Sequence, residues 1–362
     1  MIQSSPLEAL HLRLGARMVP FAGWNMPVQY SSIMDEHGSV RSGVGIFDIS
    51  HMGQFFVTGL GAMAWLNRML TNNVAKLAVG EGQYSILLNE KGGVIDDLIV
   101  YRNGEDSFFL VVNASMIDED FFWMAKHQPD DVELRNESSL WAGLAVQGPE
   151  AVAAFARVCP GVSLPPRNGI ASFVVDGVTL LVCRTGYTGE DGFEFFSPAA
   201  DGERWFEAFV AEGAKPCGLG ARDSLRLEMG YPLNGSDLSP ERTPIEAGLG
   251  FFVDLDKGDF IGREVLARQK SEGPALKLVA LEYTEKGAPP RSHYPVCDAG
   301  GEVVGELSSG ILSPSLGKGI GMAYLPAALA KIGTQLTVDV RGRNFPARVV
   351  KKPFYKPAAQ KA

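Results

Sequence analysis

Between residues 59 and 70 the apolar positions Ala62, Leu66 and Leu70 recur every four residues, which stacks them on one face of a helix. Short helices are expected over 7–13 and 31–42. A turn-rich loop lies between them, where Pro20, Gly23, Trp24 and Pro27 cluster. Residues 46–57 read as one strand. Three further strands, 83–89, 93–101 and 107–113, are separated by Gly, Asn and Asp, the pattern of an antiparallel meander, and a helix over 116–127 follows. Strands at 140–147 and 178–184 flank an apolar helix that starts near Pro149, a residue tolerated in a first turn. The last clear helices are 205–212 and 220–229. A polar, charge-mixed stretch, 266–274, then leads into a tail with strands at 277–282, 303–309, 319–325 and 335–340, and a boundary is expected near residue 275. Many short strands with Gly and Pro turns predict a small closed or rolled β unit there. Helices and strands mixed without regular βαβ spacing point to the α+β class.

Composition narrows the picture. A chain of 362 residues with 46% hydrophobic and 21% charged positions is globular and long enough for two or three compact units, of which three is the working number; disorder is expected only in the last few residues. The net charge of −9 and the lack of any dense Lys/Arg stripe argue against a nucleic-acid partner. Cys159, Cys183, Cys217 and Cys297 stand far apart with no C-x-x-C pair, against a zinc site or a disulfide framework and for reduced thiols. The N-terminal stretch has neither a signal pattern nor a span-length apolar run, so no membrane is expected and a bacterial cytoplasm is.

Three runs carry candidate chemistry. In LNEKGGVIDDLIVYR, residues 88–102, strand alternation puts Asp96 with Val94 and Leu98, and Asp97 with Ile95, Ile99 and Tyr101. The two carboxylates therefore face opposite ways and are not expected to share a site. Two aspartates inside an apolar strand cost stability unless each is hydrogen-bonded or solvated; a solvated pair capping the strand start is the bland reading, a pocket the functional one. In RTGYTGEDGFEF, residues 184–195, Gly186, Gly189 and Gly192 predict a hairpin loop with a gap that a ligand could enter. Glu194 projects beside that gap and Tyr187 offers a stacking surface. Two carboxylate oxygens match a flat heterocycle presenting an amino group beside a ring N–H, although an outward-facing, solvated glutamate is the more common fate. In KPCGLGARDSLRLEMGYPLNGSDL, residues 215–238, Gly218 and Gly220 precede a helix whose first N–H groups welcome anions, with Arg222 at its start. Arg222 can meet an anionic ligand or pair with Asp223 or Glu228, and a structural salt bridge is the simpler reading. No H-E-x-x-H, P-loop, G-x-G-x-x-G dinucleotide run or G-x-S-x-G occurs, and the five histidines lack metal-ligand spacing. His51, in FDISHMGQ, is the histidine to watch, with a hydrogen-bonded structural role expected.

These runs, with MVPFAGWNMPVQY, VGIFDISHMG, LAVQGP and SSGILSPSLGKGIGMAYLP, resemble the T-protein series of the glycine cleavage system, the tetrahydrofolate-dependent aminomethyltransferases, from about residue 6 to residue 355. The resemblance implies a three-domain cloverleaf: two interleaved α+β folate-binding domains over 1–275, about 1–52 with 138–240 and 53–137 with 241–275, plus a C-terminal β-barrel or jelly-roll-like domain over 276–362. It also implies that Asp97 is the catalytic acidic residue and that Tyr84, Asp97, Ile99, Tyr101, Asn113, Tyr187, Glu194, Arg222 and Tyr231 line a folate channel, with Glu194 on the pterin edge. Arg291 matches an arginine near the site. Pro232 with Asn234 departs from the family pattern in that wall.

The activity so implied moves the methylene of an aminomethyl group from the lipoyl arm of the carrier H-protein to tetrahydrofolate, releasing ammonia and forming methylenetetrahydrofolate and the dihydrolipoyl carrier. No metal is called for. Asp97 would hold the pterin and stabilise developing positive charge, or accept a proton. Two rivals stand beside this reading: a folate-dependent demethylase on the same fold, and a folate-binding iron–sulfur maturation protein, whose K-G-C-Y-x-G-Q-E type motif is absent here.

Overall fold

The computed structural model describes residues 2–357, so positions 358–362 of the expected C-terminal domain lie outside it. The chain divides into two compact units. One runs up to Leu87 and resumes over Asp96–Asp223; the other comprises Leu88–Ile95 and the chain from Ser224 onward.

The first unit contains two larger sheets. A six-stranded sheet runs in the order Ile170–Val175, Val178–Cys183, Gly192–Pro198, Trp141–Gln147, Gly45–Asp48, Lys215–Pro216. Its strand Gly192–Pro198 alternates large residues to both faces. Phe193 and Phe195 enter a core with Trp205, Phe206 and Phe209 from the helix Gly202–Ala211 and with Phe155 from the helix Ala151–Val158. Phe196 points the other way and meets Phe109 edge-on, ring centroids 5.3 Å apart. Phe109 belongs to the second sheet, ordered Gly82–Leu88, Val94–Gly104, Ser107–Val112, Gly53–Thr58, Glu133–Asn136. The expected meander forms its first three strands. Phe56 against Trp141, at 5.8 Å, continues the aromatic layer between the sheets. Aromatic pairs of this geometry add to simple area burial.

Residues 46–57, expected as one strand, are two, and each serves a different sheet. Leu144 pairs with Asp48 on one side, and Gly53 pairs with Val112 on the other. The break lies at Asp48. Its Oδ1 accepts the Ser50 N–H at 2.8 Å, an Asx-type turn that competes with strand continuation. Its Oδ2 is held by His11 Nε2 at 2.8 Å and by the Ser5 hydroxyl. The presumed loop around Pro20 and Trp24 is in fact a hairpin, Arg17–Phe21 with Trp24–Gln29, turned at Ala22 and Gly23, both at positive φ.

The second unit carries the closed barrel, in the order Leu276–Tyr283, Gly319–Pro326, Val303–Leu312, Pro295–Cys297, Gln335–Asp339, Asn344–Val350, closing where Ala280 pairs with Val350. Closure removes the exposed strand edges, and Val279, Leu281, Val296, Leu307, Leu325, Val338 and Val349 fill the interior. The polar stretch before the barrel is not a linker but the last part of a helix, Arg263–Glu272. Only Leu266 of that helix is buried, and Gly273 at φ 85° ends it. With one apolar anchor, the helix shows no amphipathic stripe in the sequence. Asp237 and Arg226 form a buried ion pair at 2.7 Å, and Asp237 also accepts from Ser308, Ser309 and the Leu233 N–H, which fixes the loop after Gly230. The four cysteines are buried without forming a disulfide. No helix among the described residues is long and apolar enough to cross a membrane.

Phe195 is fully buried with Trp205 and Phe209 within 5.4 Å of its ring, so Phe195→Ala is expected to cost about 3–5 kcal/mol. Urea titration monitored by tryptophan fluorescence measures it, and a loss below about 1 kcal/mol would contradict the packing described.

Candidate active site

The strand Val94–Gly104 pairs antiparallel with Ser107–Val112, Ile99 opposite Val111. Continuing that register by two residues brings Asp97 opposite Asn113, just past the end of the partner strand. Asn113 uses this position fully. Its Nδ2 donates to Asp97 Oδ1 at 3.0 Å, to the Asp97 carbonyl at 2.9 Å and to Asp96 Oδ1 at 2.8 Å, while its backbone N–H donates to Asp96 Oδ2 at 2.9 Å. The expectation that the two aspartates serve separate surroundings is therefore corrected. They do leave the strand on opposite faces, but at the strand end one amide can reach both.

The second Asp97 oxygen, Oδ2, accepts from the Tyr84 hydroxyl at 2.9 Å. Burial, and then the charge of Asp96, push the Asp97 carboxyl up to about 7, against the lowering effect of its hydrogen bonds from Tyr84 and Asn113. Low dielectric disfavours the ionised form, and a like charge nearby adds to that. Burial followed by the Asp97 charge holds the Tyr84 phenol well above its ordinary range, so Tyr84 remains a donor. Asp96 is 0% exposed, whereas Asp97, Ile99 and Tyr84 keep part of their surface open.

A second acidic centre lies on the six-stranded sheet. Glu194 is 7% exposed, so the solvated strand glutamate that alternation allowed is not what forms. Thr185 donates to Glu194 Oε2 at 2.8 Å, and the Tyr101 hydroxyl contacts Thr185 Oγ1 at 2.6 Å. Tyr101 is fully buried and so acts behind Glu194 rather than as an open wall. Burial raises the Glu194 carboxyl pKa, opposed by the Thr185 hydrogen bond and by the charge of Arg222. The Arg222 guanidinium sits over the Tyr187 ring, 4.9 Å from its centroid, a cation–π arrangement. Tyr187 in turn adds to the field at Tyr84. The Asp97 and Glu194 centres thus belong to one cluster, built from both sheets of the first unit. Arg222 faces Glu194, not the salt bridge to Glu228 that the sequence allowed; Glu228 accepts from Ser313 and Ser315.

Three local expectations need correcting. A Cβ at Gly186 would lie 1.9 Å from Gln147 Oε1, and one at Gly192 would lie 2.4 Å from the Val146 carbonyl oxygen and 2.6 Å from Gln147 Nε2. These glycines make room for the Gln147 side chain, which accepts from Thr188 at 2.9 Å and donates to the Thr185 carbonyl at 3.1 Å. They stiffen the loop that presents Thr185 and Tyr187. The N–H of Gly218, before the Arg222 helix, donates to Glu36 Oε2 at 2.8 Å, so a carboxylate of the chain already fills the expected anion position. His51 is buried and its pKa is lowered to about 4 by burial and Arg222, against the charge of Asp48. Its Nδ1 has no hydrogen-bond partner among the described residues, so at that nitrogen the hydrogen-bonded structural role expected of it is not met.

Tyr231 and Arg291 belong to the second unit. Tyr231 is 36% exposed, and its carbonyl accepts from Arg226 at 3.1 Å. Arg291 is exposed, with its guanidinium 3.5 Å from the Pro290 carbonyl oxygen. Thr185 was missed by sequence reasoning although it lies in a run already singled out; a hydroxyl between a charged strand end and a glycine is the signal that could have found it. Asp96 was read only as the partner facing away.

The family described as the GCVT N-terminal domain matches residues 7–257, and that described as the glycine cleavage T-protein C-terminal barrel domain matches residues 277–356. Among curated relatives, an aminomethyltransferase of Symbiobacterium thermophilum is 48% identical, with 98% of each chain covered. One of Geobacillus kaustophilus is 46% identical over 99% of this chain and 100% of its own. The crystal structure of the glycine cleavage system aminomethyltransferase T from Bartonella henselae superposes with a TM-score of 0.93 at 34% identity, covering 99% of both chains.

A carboxyl group whose pKa is higher folded than unfolded stabilises the fold at low pH, and that contribution is lost as pH rises through the folded value. For Asp97 the window runs from about 3.8 up to about 7. The stability of Asp97→Asn relative to the wild type is therefore expected to rise across that window, by at least about 1 kcal/mol. Urea unfolding at pH 5 and pH 8 checks this, and a pH-independent difference would exclude a raised Asp97.

Proposed function

The chain belongs to the aminomethyltransferase family of the glycine cleavage system, and from that premise we propose that it takes the methylene of an aminomethyl group from the lipoyl arm of an H-protein and passes it to tetrahydrofolate. The products on this reading are ammonia, methylenetetrahydrofolate and the reduced, dihydrolipoyl carrier. The bacterial relatives favour a bacterial cytoplasmic setting.

Asp97 carries the reading. It is a carboxylate with both oxygens hydrogen-bonded, beside a second carboxylate, and with its proton affinity raised to the neutral range. Such a group suits both the transient acceptance of a proton and the stabilisation of positive charge.

The cluster also fits a reduced pterin. Oε2 of Glu194 is engaged by Thr185, and on this reading the same carboxylate also accepts from an amino group or ring N–H of the pterin. Tyr187, backed by Arg222, offers a flat surface with part of its area open. On this reading Glu194 and Tyr187 bind and orient the ring system, with Tyr84, Ile99, Tyr101, Asn113 and Arg222 as further lining or supporting residues. Tetrahydrofolate, when bound, supplies the nitrogen that accepts the one-carbon unit. Asn113 and Tyr84 keep the Asp97 carboxylate from rotating, and fixed orientation of this kind accounts for much of the rate in a reaction that needs no change of oxidation level.

Asp97→Asn keeps the shape and removes the charge. Turnover with tetrahydrofolate and loaded carrier is expected to fall about a hundredfold or more, and a rate within about threefold of wild type would remove the catalytic role. In the wild type, kcat/KM is expected to rise with pH through about 7 as Asp97 ionises. Glu194→Gln is expected to weaken tetrahydrofolate binding by roughly tenfold or more in calorimetry, since a charge-assisted pair becomes a neutral one; unchanged affinity would move the pterin edge elsewhere. Ammonia release with loaded carrier, as opposed to methylated folate from a small amine, separates this activity from the demethylase alternative.

A further inference from the structure

Behind Asp96 lies a second buried acid that the reaction as described does not use. The helix Ile117–Lys126 begins four residues after Asn113, and Asp120 stands in its first turn, 0% exposed. An aspartate there usually caps free N–H groups, yet this helix start has no side-chain cap. Neither carboxyl oxygen of Asp120 meets an N–H or O–H donor among the described residues. What the group faces, within hydrogen-bonding reach, is the carboxyl of Asp96. Asp96 already accepts from the Asn113 backbone N–H at 2.9 Å and from Asn113 Nδ2 at 2.8 Å.

Two ionised carboxylates in that position are acceptors facing one another in a dry interior, each repelling the other. One proton changes the sign of the contact. It supplies the missing donor, satisfies an otherwise orphaned oxygen and leaves a single negative charge spread over the pair. The electrostatics run the same way. Burial first and the charge of Asp96 second hold the Asp120 proton well above the ordinary carboxylate range, and Glu119 and Asp97 add to the effect.

We propose that Asp96 and Asp120 share one proton, and that Asp120 is thereby a positioning residue: its O–H pins Asp96, Asp96 pins the Asn113 amide, and that amide fixes the Asp97 carboxylate. The chain of contacts explains why an acidic residue occupies a fully enclosed position one layer behind the site. The positioning role rests on the reading of Asp97 given above, whereas the shared proton does not.

The two parts are tested separately on the full-length protein. Difference infrared spectroscopy of wild type against Asp120→Asn, without folate and at about pH 8, above the Asp97 transition, is expected to show a protonated-carboxyl C=O band in the wild type that the variant lacks. A wild type with only ionised carboxylates overturns the shared proton. In turnover with loaded carrier, Asp120→Ala is expected to lower kcat roughly tenfold with little change in KM for tetrahydrofolate. Asp120→Asn, whose amide can donate the same hydrogen bond to Asp96, should recover most of that loss. An alanine variant within about threefold of wild-type kcat, or an asparagine variant as impaired as the alanine, overturns the positioning role. Asp120→Leu, closer in volume, replaces alanine if the cavity unfolds the protein. A wild type that shows the band yet neither binds nor turns over tetrahydrofolate refutes the aminomethyl-transfer reading and leaves the shared proton standing.

Discussion

One side-chain amide, that of Asn113, holds together a costly arrangement: two adjacent carboxylates in an apolar strand. Burying either charge alone is expensive, and burying both side by side more so. Asn113 offsets this because it sits just beyond the end of a paired strand, where its side chain and its backbone N–H are both free to turn toward Asp96 and Asp97. Within a continuing strand its N–H would be committed to the ladder. The end of Ser107–Val112 is therefore as much a part of the site as the aspartates.

The surrounding sheets make that cluster possible. The same aromatic layer that packs the two sheets, Phe109 on Phe196 and Phe56 on Trp141, keeps the side of the cluster nearest the core dry. Beside Glu194 the buried polar side chains have partners. Tyr101 crosses the layer to Thr185, and Thr185 fixes Glu194. The division between open and enclosed residues follows from this. Tyr84, Asp97, Tyr187 and Arg222 keep some exposed surface, while Asp96 and Tyr101 behind them have none. A layer of partly open groups resting on a fully buried polar layer is the arrangement that fixes side-chain rotamers without freezing out a ligand.

The glycine-rich loop shows how a correct reading of residue type can assign the wrong beneficiary. Gly186 and Gly192 do mark close approaches, as small residues in a strand loop should. The approaching group is Gln147, from the neighbouring strand, and its effect on the site is indirect. Likewise the N–H before the Arg222 helix does attract an anion, and that anion is Glu36 of the same chain.

Local pattern by itself determined the α+β class, the three-strand meander around Asp97, the strand-rich tail and the separate faces of the two aspartates, because each follows from alternation and turn residues over fewer than about fifteen positions. The resemblance in its motifs named the family. Only tertiary structure decided that residues 46–57 divide between two sheets, that Asn113 bridges both aspartates, that Glu194 is buried with Thr185 on it and Tyr101 behind, and that Asp120 faces Asp96. Each of these depends on which distant strand or helix comes to lie alongside. The identity of a residue says what it can donate or accept, but the partner is supplied by packing over long separations in the chain, and no periodicity along the sequence encodes it.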